Sequence, residues 1–293
     1  MDWFRRLREW RKYVALIDGQ KRLVASRPQR VSDITSRRLG YDDVEFVIVT
    51  KNSAGTLLGT INNLRGLYPG CSIMVVDGGS KDDTVEIGKQ SGCRVFEGKW
   101  NVGAARNLSL SASTRRFLAH VDSDVQLGWG WLELVKPHFE DVGVVAVSGV
   151  TLYGFETDEA LMAYCLQSGL IGVASFTNTL LDREKILKLG GIGDVQCGED
   201  WEIYDKIIRN GYKWNLASDA YAYHRRYFWQ QLKAYFNWSR WWRRTKLTST
   251  HTIVVAFIFS PFVELLLGLK LHRRLTFYHP LLRLAVLAGW LLG

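Results

Sequence analysis

A chain of 293 residues with 47% hydrophobic content can bury one large core or two smaller ones. Its four cysteines (Cys71, Cys93, Cys165 and Cys197) are widely spaced without a C-x-x-C pair. That pattern speaks against a zinc site or a disulfide framework and suits a reducing, cytosol-facing location. The formal charge of +9 divides into +6 over residues 1–30, −7 over 31–223 and +10 over 224–293. An acidic body between basic ends fits an anionic surface and excludes a continuous basic groove for nucleic acid.

Residues 1–19 lack the long apolar run of a signal peptide. Trp3, Leu7, Trp10, Val14 and Ile17 recur at helical spacing with Arg5, Arg6, Arg8, Arg11 and Lys12 between them. This reads as a basic amphipathic helix resting either on a membrane interface or on the protein's own core, and the last third of the chain favours the membrane. Residues 26–38, polar and basic around Pro28, read as a linker. The period then changes. A β-branched run at 44–50 predicts a strand, 54–67 a helix and 72–76 a second buried strand ending at Asp77. Ser80 with Asp83 three residues on resembles a capping box, so a helix is expected from there. Val95-Phe96 reads as a short strand, and Asn101 opens another helix. Phe117–Val121 is an apolar strand broken only by His120, and it stops at Asp122-Ser-Asp124. Strands alternating with helices imply βαβ units and a mostly parallel sheet. Ligands in such sheets sit beyond the carboxyl ends of the strands. Two carboxylates at i and i+2 there can reach a divalent cation.

A further strand is expected at 144–149. Gly190-Gly-Ile-Gly-Asp194 reads as a flexible stretch before Gly198-Glu199-Asp200, which starts a helix whose macrodipole keeps its acids ionised. His224 follows the extended segment Tyr221-Ala-Tyr223. Residues 227–246 interleave eight aromatics with Lys and Arg, the composition of the headgroup layer. The stretch 252–269 spans roughly 27 Å as a helix, short for a bilayer core of about 30 Å, and holds Pro261 and Glu264. With 281–292 it reads as a re-entrant or interface-lying hairpin, or else a pair of short spans.

Four motifs together carry a resemblance. Phe46-Val-Ile-Val-Thr-Lys-Asn52, Val75-Val-Asp77-Gly-Gly-Ser80-x-Asp82-x-Thr84, Asn101-x-Gly103-x-x-Arg106-Asn107 and Asp122-Ser-Asp124 fall in the order and spacing of the family 2 glycosyltransferases. The similarity runs from about Val44 to His224. One departure is Ser53, where the family frequently has Glu. The resemblance implies a GT-A fold, a nucleotide-diphosphate sugar donor (a UDP-sugar in preference to a GDP-sugar), a divalent metal (Mn²⁺ or Mg²⁺) and inversion at the anomeric carbon. It assigns Thr50, Asn52 and Asp77 to the nucleoside, Arg106 to the diphosphate or base, and Asp122 to the ribose or a metal-bound water. Asp124 and His224 become metal ligands. Phe176–Leu181 becomes the floor of the sugar site, and Asp200 the general base with Glu199 orienting it. Asn237-Trp-Ser-Arg240-Trp241 resembles the Q-x-x-R-W substrate motif of processive members, with Asn in place of Gln. The expected layout is a basic N-terminal helix and linker (1–40), a GT-A catalytic domain (41–226) and membrane-interface helices with a hydrophobic hairpin (227–293). The whole describes a membrane-associated enzyme facing the cytoplasm, with a lipid-linked or membrane-presented acceptor and no nucleic-acid partner. Two alternatives stand beside it: a polyprenyl-phosphate sugar synthase, whose ionised acceptor would need no Glu199-Asp200 base, and a non-catalytic nucleotide-sugar-binding protein.

Overall fold

The computed structural model describes residues 41–153, 175–224, 228–244, 258 and 275–293. The N-terminal helix, the linker and the 252–269 stretch apart from Ile258 therefore lie outside the described residues. The chain divides into two compact units, Met1–Leu152 with Ile171–His224, and Tyr153–Leu170 with Arg225–Gly293.

In the first unit eight strands form one sheet: β1 (Val44–Thr50), β2 (Ser72–Asp77), β3 (Arg94–Glu97), β4 (Phe117–Val121), β5 (Val125–Leu127), β6 (Val144–Tyr153), β7 (Asn178–Asp182) and β8 (Lys213–His224). Their order is β3-β2-β1-β4-β7-β6-β8-β5. β1 to β4 pair in parallel, as the alternation of strands and helices predicts. The expectation of a mostly parallel sheet needs correction, because β7 is antiparallel to both β4 and β6, and β5 to β8. The sheet is mixed.

Side chains alternate faces along each strand. Phe46 and Ile48 join Leu57, Ile61 and Leu64 of α1 (Leu57–Leu67) in one core cluster. Val47 of the same strand joins Ala105 and Leu110 of α3 (Val102–Ala112), together with Ile203 and Ile207 of α6 (Glu199–Arg209), in the other. Glu45, buried within β1, is held by Arg94 Nη1 at 2.8 Å and Ser72 Oγ at 2.9 Å, which offsets the cost of its desolvation. Helix α2 (Thr84–Gln90) begins later than the Ser80 capping box suggests. The Ser80 hydroxyl is committed to Asp77, and Asp82 Oδ1 accepts from Thr84 N instead. Two short helices, α4 (Trp131–Val135) and α5 (Arg183–Lys188), complete this unit's α-helices among the described residues.

The second unit contains α7 (Phe228–Arg244) and α8 (Leu275–Leu292). Leu282 and Val286 pack on Tyr235 of α7, with Leu232, Trp238 and Trp242 against them. The helices approach closely at Gly289, where a Cβ would overlap the Phe236 carbonyl oxygen. Arg243 donates to the carbonyls of Trp290 and Leu291, satisfying orphan acceptors at the end of α8. Among the described residues, no helix is long and apolar enough to cross a membrane. The 281–292 stretch is part of a helix that includes Pro280 and packs on α7.

Candidate active site

The carboxyl ends of the parallel strands bring the candidate residues together. Thr50 and Asp77 are register partners at the ends of β1 and β2. Asp77 is buried, and its Oδ1 accepts from Gly79 N at 2.9 Å and Ser80 N at 2.8 Å. Thr50 Oγ1 is buried without a hydrogen-bond partner. Asn52 adopts the left-handed region (φ 53°), which Asn tolerates better than most residues. It clasps the two loops together: its amide donates to Ser80 Oγ at 2.7 Å, and its Oδ1 accepts from Lys81 N at 2.8 Å.

Asp122-Ser-Asp124 forms the turn between β4 and β5. Asp122 N donates to Thr177 O at 3.2 Å, and Thr60 Oγ1 of α1 donates to Ser123 O at 3.0 Å. Ser123 Oγ in turn donates to Ser53 Oγ at 2.9 Å, so the residue that departs from the family pattern helps to fix this turn. Val125 pairs with His224, which brings the end of β8 beside the turn. His224 Nε2 lies 2.9 Å from Asp124 Oδ1. Asp122, Asp124 and His224 each offer one ligand atom, and these atoms lie within 4.8 Å of one another. Two carboxylate oxygens and one imidazole nitrogen suit a divalent cation of the Mn²⁺ or Mg²⁺ kind.

Arg106, expected to contact the diphosphate or base, has protein partners of its own. It is buried on α3, with Nη2 donating to Asp122 Oδ1 at 3.2 Å and Nε to Glu199 Oε1 at 3.1 Å. Its guanidinium carbon lies 4.4 Å from the centre of the Phe176 ring. Nη1 is 3.4 Å from His120 Nδ1. Since arginine can only donate, Nδ1 accepts and the imidazole proton resides on Nε2. Burial and the Arg106 charge hold His120 well below its usual pKa, so it is neutral.

Glu199 and Asp200 open α6 after Gly198, which stands in the left-handed region (φ 83°). The expectation that the helix start keeps both acids ionised fails for Asp200. Burial of the carboxyl and the neighbouring Glu199 charge push it up to about 7, against the weaker opposite pull of the Trp201 amide and Arg106. Asp200 Oδ1 accepts from Trp201 N at 2.9 Å. Burial first, and then the same two acids, push the Cys197 thiol up to about 12.

The sequence pattern of glycosyl transferase family 2 matches residues 45–191, half of the chain. The chain belongs to this family. It is a glycosyltransferase with a GT-A-like fold. The pre-mycofactocin glycosyltransferase of Mycobacterium tuberculosis is 39% identical over 115 residues, a match covering 37% of this chain and 23% of that protein. The chain thus spans about a quarter of the length of this curated relative. Among solved structures, a mannosyltransferase from Pyrobaculum calidifontis in complex with GDP-Man and Mn²⁺ superposes with a TM-score of 0.64 at 16% identity, covering 97% of this chain and 94% of that one. GalNAc-T7 with UDP, GalNAc and Mn²⁺ gives 0.50 at 17% identity, over 62% of this chain and 44% of that one. At such identities the likeness establishes the fold alone.

In this glycosyltransferase, Arg240 and Trp241 belong to α7 of the second unit, where the Arg240 guanidinium lies 5.9 Å from the Phe236 ring centre. The expected flexible stretch 190–194 is instead hydrogen-bonded: Ile192 N donates to Asn107 Oδ1 at 3.1 Å, and Gly191 N to Ile186 O at 3.0 Å. Sequence reasoning missed the parts played by His120 and Ser53. The one signal for His120 was its position as the polar residue within an apolar strand two residues before Asp122.

Proposed function

We propose that this glycosyltransferase moves a sugar from a nucleotide-diphosphate sugar to a hydroxyl of a lipid-linked or membrane-presented acceptor, with inversion and with a divalent metal bound. The observation that carries the reading is Arg106. It donates to Asp122 with one nitrogen and to Glu199 with another, so the metal-ligand cluster and the helix-start acids stand side by side. Asp122, Asp124 and His224 would hold the cation, which when bound supplies charge stabilisation to the departing diphosphate. Thr50, with its unpartnered buried hydroxyl, and Asp77 would receive the nucleoside.

Asp200 serves as the base. Glu199 is committed to Arg106, and Asp200 Oδ1 to Trp201 N, which leaves Asp200 Oδ2 to take the acceptor proton. A base poised near neutral pH combines a useful ionised fraction with real proton affinity. As the acceptor oxygen bonds to the anomeric carbon, the bond from that carbon to the diphosphate oxygen breaks. The proton passes to Asp200.

Membrane contact and a cytoplasm-facing active site are supported by the charge of +10 over residues 224–293 and by the exposure of Trp229, Lys233 and Arg243 on α7. Leu281, Leu284 and Leu291 of α8 are exposed as well. The solved neighbours carry GDP-Man in one case and UDP in the other, so both bases belong in a donor panel. The test is calorimetry of the panel in Mn²⁺. Asp124→Asn should abolish metal-dependent donor binding while the fold persists, and undiminished affinity would refute the ligand assignment.

A further inference from the structure

We propose that Asn101, which caps α3, and Arg106 and Asn107 within it are positioning residues that hold the segment 191–199 in place and thereby fix Glu199 and Asp200 beside Asp122. Each of the four named residues of the Asn101-x-Gly103-x-x-Arg106-Asn107 motif makes a polar contact with that one segment. Asn101 Nδ2 donates to Asp194 Oδ1, and Gly103 N donates to Val195 O at 3.0 Å. Asn107 Oδ1 accepts from Ile192 N at 3.1 Å, and Arg106 Nε donates to Glu199 Oε1 at 3.1 Å. Asn101 also caps α3 by accepting from Ala104 N at 2.9 Å. Its Oδ1 is therefore turned into the helix and its Nδ2 toward Asp194.

Steric fit agrees with the hydrogen bonds. A Cβ on Gly103 would overlap the Gly193 carbonyl oxygen and stand 2.8 Å from Val195 N, so only glycine lets the segment lie this close to α3. A Cβ on Gly191 would overlap Asn107 Oδ1. The segment is glycine-rich (Gly191, Gly193 and Gly198) and loses much conformational freedom on ordering. Its order has to be supplied from outside, and α3 supplies it. Residues 103, 106 and 107 share one helix face, which is why the motif has this spacing.

The inference rests on the reading of Asp200 as the base. Burial sets the ionisation of Asp200 first, then Glu199 on the same helix, the Trp201 amide and Arg106 on α3. Asn107→Ala, Asn107→Asp and Asp200→Asn are compared in the full chain, in Mn²⁺, with the nucleotide sugar that the panel selects. Asn107→Ala removes the acceptor for Ile192 N. It should lower kcat by about 10–100-fold through misplacement of the base and leave donor affinity unchanged. The acid limb of kcat/KM should move to lower pH as water reaches Asp200. Asn107→Asp keeps the acceptor oxygen and should restore turnover. Amide exchange at Ile192 should be faster in Asn107→Ala and parent-like in Asn107→Asp.

Weakened donor binding at unchanged kcat would overturn the inference, since the motif would then serve the nucleotide. Unchanged exchange at Ile192 would overturn it too. Should Asn107→Ala not fold, Asn101→Asp takes its place: it keeps the cap acceptor, sets a carboxylate against Asp194 and should lower kcat in the same way, with retained kcat overturning the inference. Parent-like turnover in Asp200→Asn would remove the base assignment alone, and the exchange data would still decide whether α3 holds the segment.

Discussion

Asp200→Asn should make the protein more stable and less active at once, and the stability gain should depend on pH. In the native state the Asp200 carboxyl is pushed from 3.8 up to about 7, first by burial and then by Glu199. Below about pH 4 the group is protonated in both folded and unfolded chains and contributes no difference. As pH rises from there towards 7, the unfolded chain releases the proton while the native state retains it, so stability falls. Above 7 the native carboxylate is ionised at full cost. A shift of about three pKa units corresponds to a ceiling of about 4 kcal/mol. Asp200 is half-buried, and solvent screening reduces this to about 2 kcal/mol. Asparagine keeps an acceptor for Trp201 N. Without metal at pH 8, Asp200→Asn should therefore unfold about 4–8 °C above the parent, and the gap should close towards pH 4. Calorimetric scans of both proteins across that range measure it. An equal gain at all pH values, or none at pH 8, would refute the reasoning.

Arg106→Ala should lower stability by about 3–5 kcal/mol in denaturant titrations, because it leaves the buried Glu199 carboxylate without its cation; a loss below about 1 kcal/mol would remove Arg106 from its central place. In metal-loaded enzyme, Asp200→Asn should reduce turnover by about 10²–10⁴ with little change in donor affinity, and equal turnover would favour an acceptor phosphate that needs no base. The full chain should pellet with anionic vesicles and progressively less as salt rises. If it stays in the supernatant at low salt, the basic C-terminal segment is an ordinary solvated face.

β1, β2 and β4 were legible because each is a short apolar run, and Asp77 and Asp122 mark where two of those runs stop. Asp122 and Asp124 stood out because they lie just past a strand, whereas His224, which ends β8, was named through the family resemblance. The direction of β7 was not legible. Its five residues are all buried, and such a strand reads alike either way round. β5 is a three-residue strand that exists by pairing with β8, and so leaves almost no local trace. The partners of Arg106 were hidden for another reason. Glu199 is 93 residues away in sequence, and a single arginine among small residues gives no sign of what it will meet. Ser80 misled because local capping competes with a tertiary demand. Asp77 and Asn52 claim its hydroxyl before the helix can.

The measurement that bears most directly on the central claim is the slow hydrolysis of α-linked uridine and guanosine diphosphate sugars, followed by proton NMR with and without Mn²⁺. Nucleoside diphosphate should appear with at least one of the donors, only when the metal is present, and the sugar first released should be the β-anomer. Release at the same rate without metal, or an α-anomer formed first, would contradict a metal-dependent inverting glycosyltransferase.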